Sequence, residues 1–399
     1  MTKEQKDNLF VLIKSLSKSE KRQFKLYVGR LGVNEDSKFL TLFNILEKLP
    51  FYDESTILKK GVVKKQQLSN LKAHLYKQIL ISLRLNPSHQ NIRIQIREQL
   101  DFATILYHKG LYKQSLKILD KAKSLAIANE EKNIAYEIVE LEKVIESQYI
   151  TRSISSRADE LTIQAKELSQ QNVLASKLSN LSLQLYGLFL KTGYVKNDKE
   201  NKRITKYFND RLPKHDINTL GFREKLWLYK AHLWYSFLTQ DFLACYKYSS
   251  KWVTLFYDNK DQIVLNPVFF LKGNHYLLES LFYLRHYEKF KSTLNDLETI
   301  TKESWFPLDD NVEGLAFLYV YNNKFNLHFI EGSFQEGLPM VNVVLDNLKK
   351  YQDRIDEHHV MVFYYKIASL YFGAGENKKC IFFLEKIINN KSLEMREDL

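Results

Sequence analysis

FATILYHKGLYKQSLKILDKA, residues 102–122, is the stretch whose reading decides the fold. Phe102, Ile105 and Leu106 recur at helical spacing up to Lys109 and Gly110. Tyr112, Leu116, Leu119 and Ala122 take up the same spacing beyond it. The pattern predicts a helix, a tight turn and a second helix. Gly110 stands where a reversing chain needs a positive φ. Ser115 and Ala122 are small where two helices must approach closely, and Leu119 lies between them on the same face.

This grammar returns along the chain. Near the C-terminus Gly375 is the turn, Cys380 the small residue and Leu384 with Ile387 the next apolar pair, after a stripe of Tyr364, Ala368 and Tyr371. It returns at Gly332 with Phe334, Gly337, Val341 and Val344. Looser copies turn at Gln240 (Phe242, Cys245, Trp252) and at Arg285 (Tyr287, Phe290, Leu294, Leu297). Weak copies are expected at Ser153 (Ala158, Ala165) and Gly193. The seven turns succeed one another at intervals of 40 to 47 residues. Lys196 to Lys214 fits the pattern worst and reads either as a divergent repeat or as a break between sub-arrays.

Gly-x-Tyr/Phe-x-x-small followed by an apolar and a small residue resembles the tetratricopeptide repeat. Gly110, Tyr112, Ser115 and Ala122 carry the match, as do Gly332, Phe334 and Gly337, and Gly375 with Cys380. The resemblance spans about residues 96–390. Its period is longer than the family's roughly 34 residues, and the family's Trp in the first helix and Pro at the repeat end are missing. It implies an all-α fold, a superhelix of about seven stacked hairpins over residues 91–399, and a surface that holds peptides or partner proteins.

Bulk composition agrees with long helices and short connections. The 399 residues include only 13 Gly and 6 Pro, few for a sheet protein with its many tight turns. The 25 Phe, 24 Tyr and 4 Trp can fill a large core, so the chain is not a disordered one. Two cysteines, Cys245 and Cys380, cannot build a disulfide framework and point to a reducing compartment. The charged start Met1-Thr2-Lys3-Glu4-Gln5-Lys6-Asp7 is unlike a secretory signal, and there is no apolar run long enough to span a membrane. A cytoplasmic location is expected.

Charge divides the chain more sharply than any motif. The first 95 residues hold 18 Lys and Arg against 8 Asp and Glu, and the remainder 41 against 39. No acid occurs between Glu54 and Glu98. A basic helical module is therefore expected over residues 1–90, with helices at 3–16, 18–29 (Ser19 as N-cap), Lys38 to Leu46, Asp53 to Gly61 and about Lys65 to Leu85, and a linker at Asn86-Pro87-Ser88-His89. Leu68, Leu71, Leu75 and Ile79 form the buried stripe of the fifth helix. Lys59, Lys60, Lys64, Lys65, Lys72 and Lys77 are the candidate contacts to nucleic acid or to an acidic partner. In a helix-turn-helix, Lys64, Lys65 and Lys72 would meet phosphates while Gln66, Gln67, Asn70 and His74 reach base edges. The alternative, which the length of the fifth helix favours, is a helical cap that seals the first repeat and carries solvated lysines. A small head before about seven hairpins is similar in plan to bacterial peptide-sensing regulators built on tetratricopeptide repeats.

The residues point to no reaction. The ten histidines include no His-x-x-x-His pair with a Glu, and in Glu357-His358-His359 adjacent side chains diverge by about 100° on a helix. There is no Gly-rich phosphate loop and no Gly-x-Ser-x-Gly elbow. Both cysteines occupy small-residue slots. Trp227, Tyr229, Trp234, Tyr235, Phe237, Tyr246, Tyr248 and Trp252 crowd one hairpin; most are expected in the core, and which of them line a concave surface is not specified by spacing. The expectation is a non-catalytic scaffold or adaptor without cofactor or metal, with nucleic-acid binding through the head as the alternative.

Overall fold

The computed structural model describes residues 7–30, 38–61, 64–86, 91–148, 156–352 and 354–390. Among them there are nineteen α-helices and no strand. No described helix is long and apolar enough to cross a membrane. The chain divides into two compact units, Met1–His108 and Lys109–Leu399.

The first unit holds α1 (Asn8–Ser15), α2 (Lys18–Arg30), α3 (Lys38–Lys48), α4 (Glu54–Lys59), α5 (Lys65–Arg84) and α6 (Ile92–His108). The helix expected to open the array, α6, thus belongs with the basic helices. α5 packs against α1, α2 and α3. Phe24 and Phe43 meet at 4.8 Å between ring centres, with Ile13, Leu42, Leu46, Leu75 and Ile79 buried around them. The start of α2 differs from the expected Ser19 cap. Ser17 and Glu20 form a reciprocal capping box, Ser17 N–H donating to the Glu20 carboxylate at 2.6 Å and Glu20 N–H to Ser17 Oγ at 3.2 Å. Two amides that the helix leaves open are satisfied at once. α4 is capped by Asp53, which accepts from Ser55 N–H. Pro87, Ser88 and His89 of the expected linker lie outside the described residues.

The second unit runs α7 (Tyr112–Ala128), α8 (Lys132–Gln148), α9 (Arg157–Thr192), α10 (Asp198–Arg211), α11 (Phe222–Leu238), α12 (Phe242–Tyr257), α13 (Asp261–Leu265), α14 (Pro267–Tyr283), α15 (Tyr287–Lys302), α16 (Asp310–Glu331), α17 (Phe334–Lys350), α18 (Glu357–Gly373) and α19 (Asn377–Ile388). Sequence neighbours pair as hairpins, α11 with α12, α14 with α15, α16 with α17 and α18 with α19, while α14 packs on α16 and α16 on α18.

The turns share one local cause. Gly110, Gly193, Gln240, Arg285, Gly332 and Gly375 all have positive φ, as the periodicity anticipated, and Glu130 adds a turn that it did not. After five of them the next amide bonds to the carbonyl five residues back: Glu131 to Ala126, Asp241 to Ser236, His286 to Leu281, Ser333 to His328 and Glu376 to Tyr371. This left-handed closure satisfies the last carbonyls of one helix and launches the next within two residues.

Three expectations change. The Ser153 turn lies outside the described residues, and the chain from Arg157 up to the Gly193 turn is one 36-residue helix, α9, rather than two. Lys196 to Lys214, expected as a divergent repeat or a break between sub-arrays, is mostly the helix α10, capped by Asn197 and burying Ile204 and Phe208. In the last helix Cys380 and Phe383 are buried while Leu384 is exposed.

Buried charge ties the early helices together. Glu142, fully buried on α8, meets Lys123 of α7 at 2.6 Å and Arg157 of α9 at 3.2 Å. Burial pushes its carboxyl above the usual range, with Lys123 and Arg157 opposing. Lys132 of α8 reaches Glu224 of α11 at 3.2 Å and Glu130 at 3.0 Å.

Candidate functional site

α9, α11, α14, α16 and α18 line a groove of about 880 Å³ in the second unit. α9, α11 and α14 each present one face, with lining residues three or four apart. α9 gives Tyr186 and Phe189, with Gly193 at the turn that ends it; α11 gives Trp234 and Phe237; α14 gives His275, Glu279 and Tyr283; α16 gives Asn322; α18 gives His358, His359 and Val362. A smaller pocket of about 250 Å³ shares Tyr186 and Trp234 and continues the same faces to Ser182 on α9, Trp227 and Lys230 on α11 and Lys272 on α14.

Aromatic rings build the wall. Trp234 packs against Tyr186 at 4.7 Å, Tyr276 at 5.4 Å, Phe189 at 5.5 Å and Phe237 at 5.8 Å. This crowding leaves Trp234 only 5% exposed, yet its indole N–H has no hydrogen-bond partner. On the facing α16, Asn322 is 6% exposed and its Oδ1 is likewise unpartnered. A buried donor and a buried acceptor therefore stand open in the wall of one groove, at a cost of about 1–3 kcal/mol each unless a ligand completes them.

Beneath the groove floor runs a polar chain. Asn323 donates to His275 Nδ1 at 3.1 Å and to the Tyr319 carbonyl at 2.8 Å, and Asn326 donates to Asn323 Oδ1 at 3.4 Å. Lys366 of α18 donates to Asn326 Oδ1. With Nδ1 accepting, the neutral His275 ring carries its proton on Nε2, 3.5 Å from Glu279. Burial, then Lys366, His359 and Lys272, keep His275 well below its ordinary range. Burial raises the Glu279 carboxyl, with Lys366 opposing it; burial lowers the Lys366 ammonium, with Glu279 opposing it. Glu279 nonetheless keeps 31% of its side chain open to the groove.

Comparison with protein-family models, characterised proteins and solved structures finds no match for this chain.

The groove does not contain the lysines singled out by sequence. Those are in the first unit, where Lys59, Lys60, Lys64, Lys65 and Lys77 are exposed, the first four flanking the α4–α5 turn, and no described carboxylate pairs with them. Lys72 stands apart: it is half-buried, ion-paired to Asp7 and hydrogen-bonded to the Tyr52 hydroxyl at 2.9 Å. That partnership fixes α5 to α1 and takes Lys72 out of the exposed set. His74 lies edge-on to Phe39 at 5.6 Å.

Of the crowded aromatics, Trp227, Trp234 and Phe237 reach the groove or its pocket, whereas Trp252 is wholly buried. Cys245 is also fully buried, and burial pushes its thiol far above the ordinary range, so it is inert packing. Sequence reading passed over Lys230, Lys272, His275, Glu279, Asn322 and Lys366. A signal was present: α14, PVFFLKGNHYLLESLFY, is apolar except for a stripe that includes Lys272, His275 and Glu279. Charged residues at groove spacing on a helix buried on its other faces mark an inner surface.

Proposed function

We propose that the second unit is a tetratricopeptide-like array whose groove holds an extended polypeptide, and that the chain works as a non-catalytic scaffold or adaptor. One observation carries this reading: Trp234 N–H and Asn322 Oδ1 stand buried and unpartnered in the groove wall. A peptide backbone presents both complements, a carbonyl for the indole and an amide for the asparagine. The surrounding rings supply apolar area at low entropic cost. The groove's volume is of ligand-binding size.

The test selects peptides from a random library on the intact chain and measures their affinity for wild type and for Asn322→Leu. The reading expects enriched sequences that lose about tenfold or more in the variant, the scale of one buried hydrogen bond. A library that yields no binder, or binders indifferent to Asn322, ends it.

A second reading rests on a separate observation, the five exposed lysines without a carboxylate partner in the first unit. It takes the head as a nucleic-acid contact. DNA and RNA fragments titrated at about 50 and 200 mM salt should then show steep weakening, and Lys64→Glu with Lys65→Glu should abolish binding. Salt-independent or absent binding leaves the head as a helical cap.

A further inference from the structure

We propose that the Lys230–Lys272 end of the groove is a seat for a phosphate monoester carried by the groove's ligand. This deepens the peptide-binding reading and rests on it only for what carries the phosphate.

Lys230 and Lys272 lie on adjacent helices and line the same 250 Å³ pocket. Neither has a carboxylate partner among the described residues. Lys230 sits over the Trp227 ring at 4.6 Å and the Phe269 ring at 5.7 Å, and Lys272 lies 5.9 Å from the Tyr276 ring. Aromatic faces hold a cation in place but do not neutralise it. Burial, with Lys272 adding to it, brings Lys230 down to about 8, and burial lowers Lys272 as well. Two ammonium groups kept close and half-buried without an acid are unfavourable in an empty pocket.

A further group points to what completes it. Ser182 is wholly buried on α9, lines the pocket, and its hydroxyl has no partner. The pocket therefore collects two cations and one neutral donor from three helices. A carboxylate, with two oxygens and a single charge, would leave part of this set unused. A phosphate monoester carries up to two charges and three free oxygens, and matches both the charge and the donor number.

The experiment uses the full chain and reads intrinsic tryptophan fluorescence with calorimetry at constant ionic strength. The probes are inorganic phosphate, phenyl phosphate and acetate. The expected result is saturable binding of both phosphates, with acetate at least about tenfold weaker, the scale of losing one charge-assisted hydrogen bond. Lys230→Gln with Lys272→Gln should abolish saturation, and Lys59→Gln with Lys60→Gln should leave it intact. Ser182→Ala, which removes a donor and no charge, should weaken binding and leave the fold unchanged by circular dichroism, so the proposal stays testable if the double variant does not fold. No saturation, or saturation unaltered in the pocket variants, overturns the seat. Acetate binding as tightly as phosphate overturns the assignment to a phosphate. Selected peptides that bind in the groove without regard to phosphate sink the seat and leave the peptide reading standing. Phosphate binding with no peptide enriched does the reverse.

Discussion

The two units hold their lysines in opposite ways. In the first unit the charge is plentiful and cheap. Lys59, Lys60, Lys64, Lys65 and Lys77 are exposed, where water solvates them and neighbouring repulsion is screened. In the groove of the second unit there are few cations, but Lys230 and Lys272 are half-buried, share a pocket and pair with no acid among the described residues. A net charge of +10 over the first 95 residues is conspicuous in the sequence, yet each of its exposed members costs the fold little. The pair in the groove is invisible in the charge balance and costs the fold stability. Energetic cost borne by a few residues locates a site better than abundance does.

The contrast can be broken or sharpened by substitution. The largest effect is expected where charge is fully buried and paired. Glu142→Ala strands the buried Lys123, while Arg157 keeps Asp120, Glu146 and Glu160, and should cost about 3–5 kcal/mol in urea unfolding. In the first unit, Asp101→Ala removes a partner of Arg84 at 3.0 Å, but both side chains are more than half exposed, and the loss should stay within about 0.5 kcal/mol. Equal losses at the two pairs would erase the distinction between the units.

Lys230→Met comes next and carries the opposite sign. Removing a desolvated cation while keeping its length should stabilise the fold by about 0.5–2 kcal/mol at neutral pH and remove phosphate binding. The pH dependence comes from Lys230 lying at about 8 in the fold against an ordinary 10.5. Below about 8 it is charged in both states, and the folded state bears the full penalty. Between 8 and 10.5 the unfolded chain holds more protons, so wild-type stability rises with pH and the variant's advantage closes. A variant less stable than wild type at pH 7 would refute this reading of the lysine. The smallest effect is expected for Lys59→Gln with Lys60→Gln, within about 0.5 kcal/mol. If the head does contact nucleic acid, the same variant should flatten the salt dependence of binding by roughly 0.9 per lost phosphate contact.

Sequence reading reached the hairpins because their causes are local. A positive-φ residue, a small residue and an apolar stripe all fall within one turn of each other at Gly332 and at Gly375. At Gln240 and Arg285 the periodicity located the turn although a side chain occupies the left-handed position. It missed Glu130, where an acid in that conformation carries no composition signal. It divided α9, although residues 157–192 contain no Pro and their one Gly, Gly187, sits in mid-helix with nothing to end it. It put the α2 cap at Ser19, when Ser17 with Glu20 was the pair that satisfies the box. The groove was legible only as an oddity, polar residues on apolar helices. Which of them converge depends on how α9, α11, α14, α16 and α18 stack, and no single-helix period encodes that.

The uninterrupted length of α9 bears on how the second unit comes apart. Thirty-six residues at the usual rise make a rod of about 54 Å. Stacked hairpins ordinarily melt as a row of weakly linked modules, each answering only to its neighbours. α9 packs on α8 along one stretch and on α11 along another, and Lys132 with Glu224 ties those two partners to each other. Fraying that begins within α9 meets no module border before Gly193. Amide exchange across α8, α9 and α11 should therefore report a single cooperative block, with α18 and α19 free to exchange at their own, faster rate.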